Sequence, residues 1–345
     1  MLIDIHHHFI PQRFIDLVRA DGDRYQAVVY RDDATGLDAL ATGRTDPIPW
    51  RGPGRLPTAM YPGIFDLSIR ITEMDEMGLD MAALSVMPGL FYYFADPDLG
   101  AEVSAILNDS IHEACAAHSD RLVPMGNVPL QDVGAAISEL ERVHREYGFT
   151  SIQIGGSVNG RNYDEPEFDP FFQRAAELEM LLFVHPSVSP GADRLRNYYT
   201  ANTIGFPVET GICAASLIFG GTLARYPNLK VCLAHGGGIT QSVIGRWDHG
   251  WEYRAEAQQA LDQPPSTYFQ QLYFDDLCHS DKVLASLIDS AGCDHIVVGT
   301  DYPFDMGERE PAAVLDRQNL IPEDRVKIES QTAARLLRLN SDRDA

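Results

Sequence analysis

Residues 3–11 read IDIHHHFIP, three consecutive histidines set among aliphatic and aromatic residues. A purification tag would be a longer pure run on a Gly/Ser-rich linker. Here Met1-Leu2-Ile3 precedes and Phe9-Ile10-Pro11 follows, the composition of a buried strand. Side chains alternate along a strand, so His6 and His8 share one face and His7 takes the other. Two imidazoles on one face ask for partners elsewhere in the chain, and the search for those partners decides the fold.

Seven more apolar runs follow: LDMAALSVMPG (79–89), RLVPMGNVPL (121–130), GFTSIQIGG (148–156), EMLLFVHP (179–186), LKVCLAHGGG (229–238), STYFQQLYFDD (266–276) and HIVVGTDYPF (295–304). Helical stripes separate them: Ile69, Ile71, Met74 and Met77; Val103, Ile106, Leu107 and Ile111; Ala136, Ile137, Leu140 and Val143. Phe206–Tyr226 is longer and more apolar, as for a helix packed on two sides. Strands that are continuous apolar runs alternating with helices indicate a parallel sheet covered by helices. Eight such units favour a (β/α)8 TIM barrel over a doubly wound sheet. The reading is a single domain over 1–345. Residues 20–65 are rich in Gly, Pro, Asp and Arg and form a long insertion after strand 1, a lid or small subdomain over the mouth. NSDRDA (340–345) reads as a frayed tail.

Catalytic residues of such barrels sit at the C-terminal ends of the strands. Strand 1 ends in His6 and His8, strand 5 in His185, strand 6 in His235, strand 7 in Asp275-Asp276 and strand 8 in Asp301. Imidazole and carboxylate converging from distant strands make an N/O shell suited to zinc or a similar divalent ion. A further histidine beside such an ion can act as acid or base near neutral pH. Six other histidines read as structural: His7 on the barrel wall, His112, His118 and His144 as solvated helix residues, His249 and His279 as local structure or a supporting layer. Asp4 reads equally well as a partner of the ligands or as a strand-end hydrogen-bonder.

The net charge of −23 argues against nucleic acid. Five scattered cysteines without a CxxC pair read as core residues of a reducing compartment. No apolar run reaches the roughly 18 residues of a membrane span, and the N-terminus lacks a signal-peptide pattern. A soluble cytoplasmic protein is expected, without membrane or nucleic-acid partners.

The motifs IDIHHHFIP, LLFVHP, LAHGGG and GTDYPF, in this order and spacing, resemble the amidohydrolase superfamily. More closely they resemble its decarboxylase branch, typified by aminocarboxymuconate-semialdehyde decarboxylase, over residues 1 to about 335. The stretch GFPVETGICAASLIFGGTLARYPNLKVCLAHGGG belongs to that branch rather than to the fold at large. The resemblance implies a (β/α)8 barrel and a dimer. It also implies one divalent metal, most often zinc with manganese or cobalt as alternatives, on His6, His8, His185 and Asp301. His235 becomes the catalytic acid/base; Asp301, as ligand or as a carboxyl beside the metal, is read as the second catalytic residue, donating a proton to carbon. Arg246, on the helix after HGGG, holds the position from which the family reaches an active site across the interface.

Two further points refine this. Two-metal members of the superfamily bridge their ions with a carboxylated lysine, commonly from strand 4. FTSIQIGGS has no lysine, and none of Lys230, Lys282 and Lys327 lies at a suitable strand end, so one metal is expected and no organic cofactor. The typifying decarboxylase also carries a substrate-binding arginine before its first barrel helix. Thr58–Phe65 (TAMYPGIF) has none, and Arg51 and Arg55 are displaced. That speaks against a dicarboxylate. The aromatics Phe91, Tyr92 and Tyr93 after strand 2 and Phe304 after strand 8 suit a flat ring. The expected activity is non-oxidative decarboxylation of an aromatic or ring-cleavage-derived carboxylic acid, a hydroxybenzoate before the semialdehyde. The alternative is hydrolysis or hydration of a lactone, amide or unsaturated diacid by the same metal. A binding protein that has merely kept the fold would lack ligands, and the set is intact.

Overall fold

A computed structural model describes residues 1–33, 35–43 and 58–339. Its twelve strands are β1 (Ile3–Phe9), β2 (Ala27–Asp32), β3 (Leu37–Thr42), β4 (Thr58–Ala59), β5 (Met81–Val86), β6 (Leu122–Pro124), β7 (Gly126–Asn127), β8 (Ser151–Gly155), β9 (Leu181–His185), β10 (Lys230–Leu233), β11 (Leu272–Asp275) and β12 (Ile296–Val297). Nine of them form a parallel barrel in the order β1-β5-β6 and β7-β8-β9-β10-β11-β12. β6 and β7 are two halves of one strand that changes partner at Met125, whose N–H still reaches Leu84 O at 3.0 Å. The barrel closes where Asp4 bridges Val298 in parallel and Ile5 N donates to Val298 O at 2.9 Å. Eight strands result, one at each apolar run read from the sequence.

Inside the barrel lie Ile3, Ile5, Met81, Val123, Phe183 and Val297 among others, closed below by the helix Thr332–Leu337 through Leu336 and Leu337. The larger core fills the layer between strands and helices. The register of β1 jumps by one residue between Asp4 and His7. This bulge lets Ile3 and Ile5 fill the barrel while His6 and His8, of opposite parity, also point inward.

The helix Leu67–Met77 starts at Asp66, whose carboxylate accepts from Ser68 N and Ile69 N, and stops at Gly78 in the left-handed conformation. Its buried face is Arg70, Met74 and Met77, with Ile69 and Ile71 only half-buried, so a buried arginine takes the place expected of an aliphatic residue. The apolar stretch from Phe206 divides into helices Phe206–Phe219 and Thr222–Arg225, because Gly221 turns left-handed (φ 74°). With the turn before it, Ala201–Phe219 is long and apolar enough to span a membrane by length and composition, contrary to the expectation that no run would be. Half of it is buried against the barrel, which accounts for its composition.

The described residues between β1 and the helix Leu67–Met77 carry secondary structure of their own. A helix not expected from the sequence, Gln12–Ala20, buries Phe14, Ile15 and Val18. β2, β3 and β4 then form a small antiparallel sheet. It rests on the segment after β5, where Thr42 Oγ1 donates to Gly89 O and Tyr92 Oη to Tyr25 O. Arg51, Arg55 and the tail 340–345 lie outside the described residues.

Candidate metal centre and active site

His6, His8, His185 and Asp301 come together at the C-terminal end of the barrel, one ligand atom from each lying within 4.8 Å of all the others. All four residues are buried. His6 Nε2 and His8 Nε2 are 3.1 Å apart, and Asp301 Oδ1 lies 3.2 Å from the first and 2.9 Å from the second. His185 Nε2 is 4.0 Å from the same oxygen and has no hydrogen-bond partner.

The chemistry of this donor set can be read from the other ring nitrogens. His8 Nδ1 faces Val86 O at 3.1 Å and His185 Nδ1 faces Pro186 O at 2.8 Å. A carbonyl only accepts, so both Nδ1 atoms carry the proton and both Nε2 atoms present a lone pair. His6 Nδ1 faces Asp275 Oδ2 at 2.8 Å, with the same consequence when that carboxylate is ionised. Three lone pairs and a carboxylate aimed at one point repel one another unless a cation sits among them. The residues therefore fit a single divalent ion held by three nitrogens and one oxygen. Without one, a proton must do the work. Burial pulls His6 down, but the charge of Asp301 and the bonds to Asp275 and Asp301 raise it to about 10. His185 is driven well below its ordinary value by burial and by His235, His6 and His8.

His235 stands beside this cluster. Its ring is 4.9 Å from that of His185 and 5.1 Å from that of His6, and its Nε2 is 3.7 Å from Asp301 Oδ2. It keeps partial exposure to the mouth. It is thus adjacent to the ligands without belonging to their inner set. Both His235 (φ 58°) and Asp301 (φ 56°) are left-handed, a conformation that costs non-glycine residues energy and gathers at functional sites.

The turn that holds His235 explains HGGG. Gly236 and Gly238 both have positive φ, and a Cβ on Gly238 would lie 2.3 Å from Pro207 O. One carboxylate ties this turn to the ligands: Asp275 accepts from Gly236 N at 2.7 Å through Oδ1 while Oδ2 holds His6. Asp4 does the same for strand 8. It accepts from His6 N (2.9 Å) and Thr300 N (3.1 Å) and pairs with His7 Nδ1 (2.6 Å), so it supports the ligands from outside the barrel. His7 does face outward as read from the sequence, stacked on Tyr302 at 4.4 Å. Arg70, fully buried and without a carboxylate partner among the described residues, donates to His8 O at 2.5 Å and lies over the Phe9 and Tyr302 rings.

Of the residues read as substrate-binding, Phe304 reaches the centre, its ring 5.1 Å from that of His8. Tyr92 does not: its hydroxyl is spent on Tyr25 O and its ring packs on Phe14 and Phe94, because the left-handed backbone at Tyr92 (φ 55°) turns it toward the insertion. Phe91 is buried and stacked on Tyr93. Tyr93 is the aromatic at the barrel end, accepting from Gly155 N at 3.2 Å beside His185's partner strand. Arg246 is exposed on the helix Thr240–Tyr253 and makes no ion pair with a described residue. His112 and His144 are half-buried rather than solvated, through the Tyr147 ring and Phe149 O; His118 is half-buried at a helix end. His249 and His279 are exposed. Asp275 was visible as a strand end in LYFDD but not as the support of His6, and Arg70 gave no signal beyond one charge in an apolar stripe.

With this geometry in place, similarity to known proteins can be set beside it. The amidohydrolase family model matches residues 3–339. A 2-amino-3-carboxymuconate-6-semialdehyde decarboxylase of Dictyostelium discoideum is 36% identical over 253 residues, 73% of this chain and 70% of that one. A gamma-resorcylate decarboxylase of Rhodococcus jostii is 26% identical over 298 residues, covering 79% and 87%. Among solved structures, the dihydroxybenzoic acid decarboxylase of a Polaromonas species, with bound manganese and 2-nitroresorcinol, superposes with a TM-score of 0.77 at 24% identity, covering 98% and 97%.

Proposed function

This chain belongs to the amidohydrolase family, and on that premise we propose that it is a metal-dependent decarboxylase of an aromatic or ring-cleavage-derived carboxylic acid. The observation that carries the reading is the set of three lone-pair nitrogens and one carboxylate around a single point, with His235 beside it and outside it. A divalent ion held by His6, His8, His185 and Asp301 supplies Lewis acidity for an anionic substrate. We take one ion per chain. Zinc is our reading of its identity, since N3O ligation suits it, and manganese and cobalt fit the same donors.

Losing CO2 from an sp2 carbon leaves an electron pair with nowhere to go. Protonating that carbon first provides the sink: the C–H bond forms, the C–CO2 bond breaks, and its electrons restore the conjugated system. A proton donor at the mouth is therefore needed. His235 is the group we assign, being partly exposed and within reach of the ligand carboxylate. Burial raises Asp301, but His6, His235 and His8 hold it well below the carboxylate range. It serves as ligand and as the carboxylate that orients His235. Phe304 packs on the ligand shell where a flat ring would lie. Arg246, exposed and unpaired, serves the site of a partner subunit in a homodimer, holding an anionic group by a charge-assisted bond. We place the enzyme in the cytoplasm, in keeping with five free cysteines.

The test is headspace CO2 from a panel of hydroxybenzoates and related acids, with metal-loaded and chelator-stripped protein. Release that needs the metal supports the reading. Ring opening of a lactone without CO2 from any acid would replace it by the hydrolase alternative.

A further inference from the structure

Helix Phe206–Phe219 delivers to the barrel mouth a carboxyl group that the mechanism above does not use. Glu209, in its first turn, is 3% exposed. Burial pushes it above the ordinary carboxylate range, opposed only by a bond from Ser157, and no cation contributes. That bond runs from Ser157 Oγ to Glu209 Oε1 at 2.5 Å. Two backbone features bring the pair to the site. Gly155 is in register with the ligand His185 on the neighbouring strand, and such partners lie about 4.8 Å apart. The next residue, Gly156, has no Cβ because Glu209 Cγ occupies that space, 2.8 Å from where a Cβ would be. The same wall holds Tyr93 and Ser187, within 3.0 and 3.4 Å of a Cβ on Gly155. Among the described residues named here it is a wall of hydroxyls with one carboxyl. A carboxyl has room for more than one donor, and Ser157 supplies one. Buried acceptors of this kind are completed by a hydrogen-bond donor.

We propose that Glu209, backed by Ser157, is a specificity residue that accepts a hydrogen bond from a hydroxyl or amino substituent of the substrate. The inference rests on the decarboxylase reading for the kind of molecule bound, and it narrows that class to acids with such a donor. A site built to pair with a donor rejects an analogue lacking it, because the acceptor is left buried and unmatched.

Binding separates this from turnover. The probes are 2-nitroresorcinol and its dimethyl ether, titrated calorimetrically into manganese-loaded protein. The wild type is expected to prefer the free phenol by at least about 10-fold. E209M should reduce that preference about 10-fold or more while metal content and thermal midpoint are checked, and E209Q, which keeps an acceptor, should restore part of it. If E209M does not fold, E209D withdraws the carboxyl by one methylene and takes its place. Equal affinity for the two probes in the wild type overturns the proposal. So does a preference that survives in E209M, which would assign it to the metal, or an equal loss for both probes, which would make Glu209 structural. Absence of CO2 release would sink the decarboxylase reading and leave this result standing.

Discussion

At the scale of single residues, the site is a set of side chains whose second atoms are as constrained as their first. Asp275 has the widest reach, joining a ligand to the turn of His235. D275N should lower metal affinity by about 10- to 100-fold, since partners of ligating imidazoles contribute that much; competition with a chelator measures it, and unchanged affinity would contradict the role. Asp276, the next residue, faces away, with Oδ1 on Gly299 N and Oδ2 without a partner. Burial raises it well above the usual carboxylate value, with Asp275 and Asp4 adding to the effect. A carboxyl raised in the folded state binds its proton more tightly there than in the unfolded chain. Its contribution to stability is full below the unfolded value near 4 and declines as pH rises toward the folded one. D276N should therefore gain thermal stability over the wild type as pH is raised from 4 to 7, and a constant difference across that range would show that Asp276 is not held protonated.

At the scale of elements, the strand ends were legible and their supports were not. Apolar runs located all eight barrel strands, and the His or Asp ending five of them marked the residues that gather at the barrel end, because burial demands an apolar strand and chemistry is confined to its end. Alternation separated His7 from its neighbours. It gave no hint of the bulge in β1, which depends on pairing with β5 rather than on local sequence. The helix Gln12–Ala20 was hidden in a stretch too short for a clear period. The left-handed backbone at Tyr92 and the bond of its hydroxyl to Tyr25 O had no signal in the local sequence. HGGG was legible as a motif, and the structure adds its reason: Gly238 has a positive φ, and a Cβ there would meet Pro207 O. G238A should cost about 2 kcal/mol or more through conformation and contact together, seen as a lower denaturant midpoint. A variant as stable as the wild type would mean the turn has room to shift.

At the scale of the whole molecule, a barrel that builds its site from five strand ends gains precision from the scaffold itself. Described residues of the segment after β1 hydrogen-bond to the segment after β5, through Thr42 and Gly89 and through Tyr25 and Tyr92. The assignment of Arg246 to a partner's site predicts complementation. H235A and R246A, each inactive alone, should recover about a quarter of wild-type activity when their subunits are exchanged, since half the dimers are mixed and each has one intact site. No recovery, with exchange verified, would place Arg246 in its own subunit's chemistry or in none.

The central claim is one metal on His6, His8, His185 and Asp301, with His235 acting beside it. Metal content per chain, measured together with CO2 release for wild type, H235A and H8A, tests it most directly. The account predicts one equivalent in wild type and in H235A, CO2 from the wild type only, and neither metal nor CO2 with H8A. Two equivalents in the wild type, or metal lost from H235A as from H8A, would contradict it.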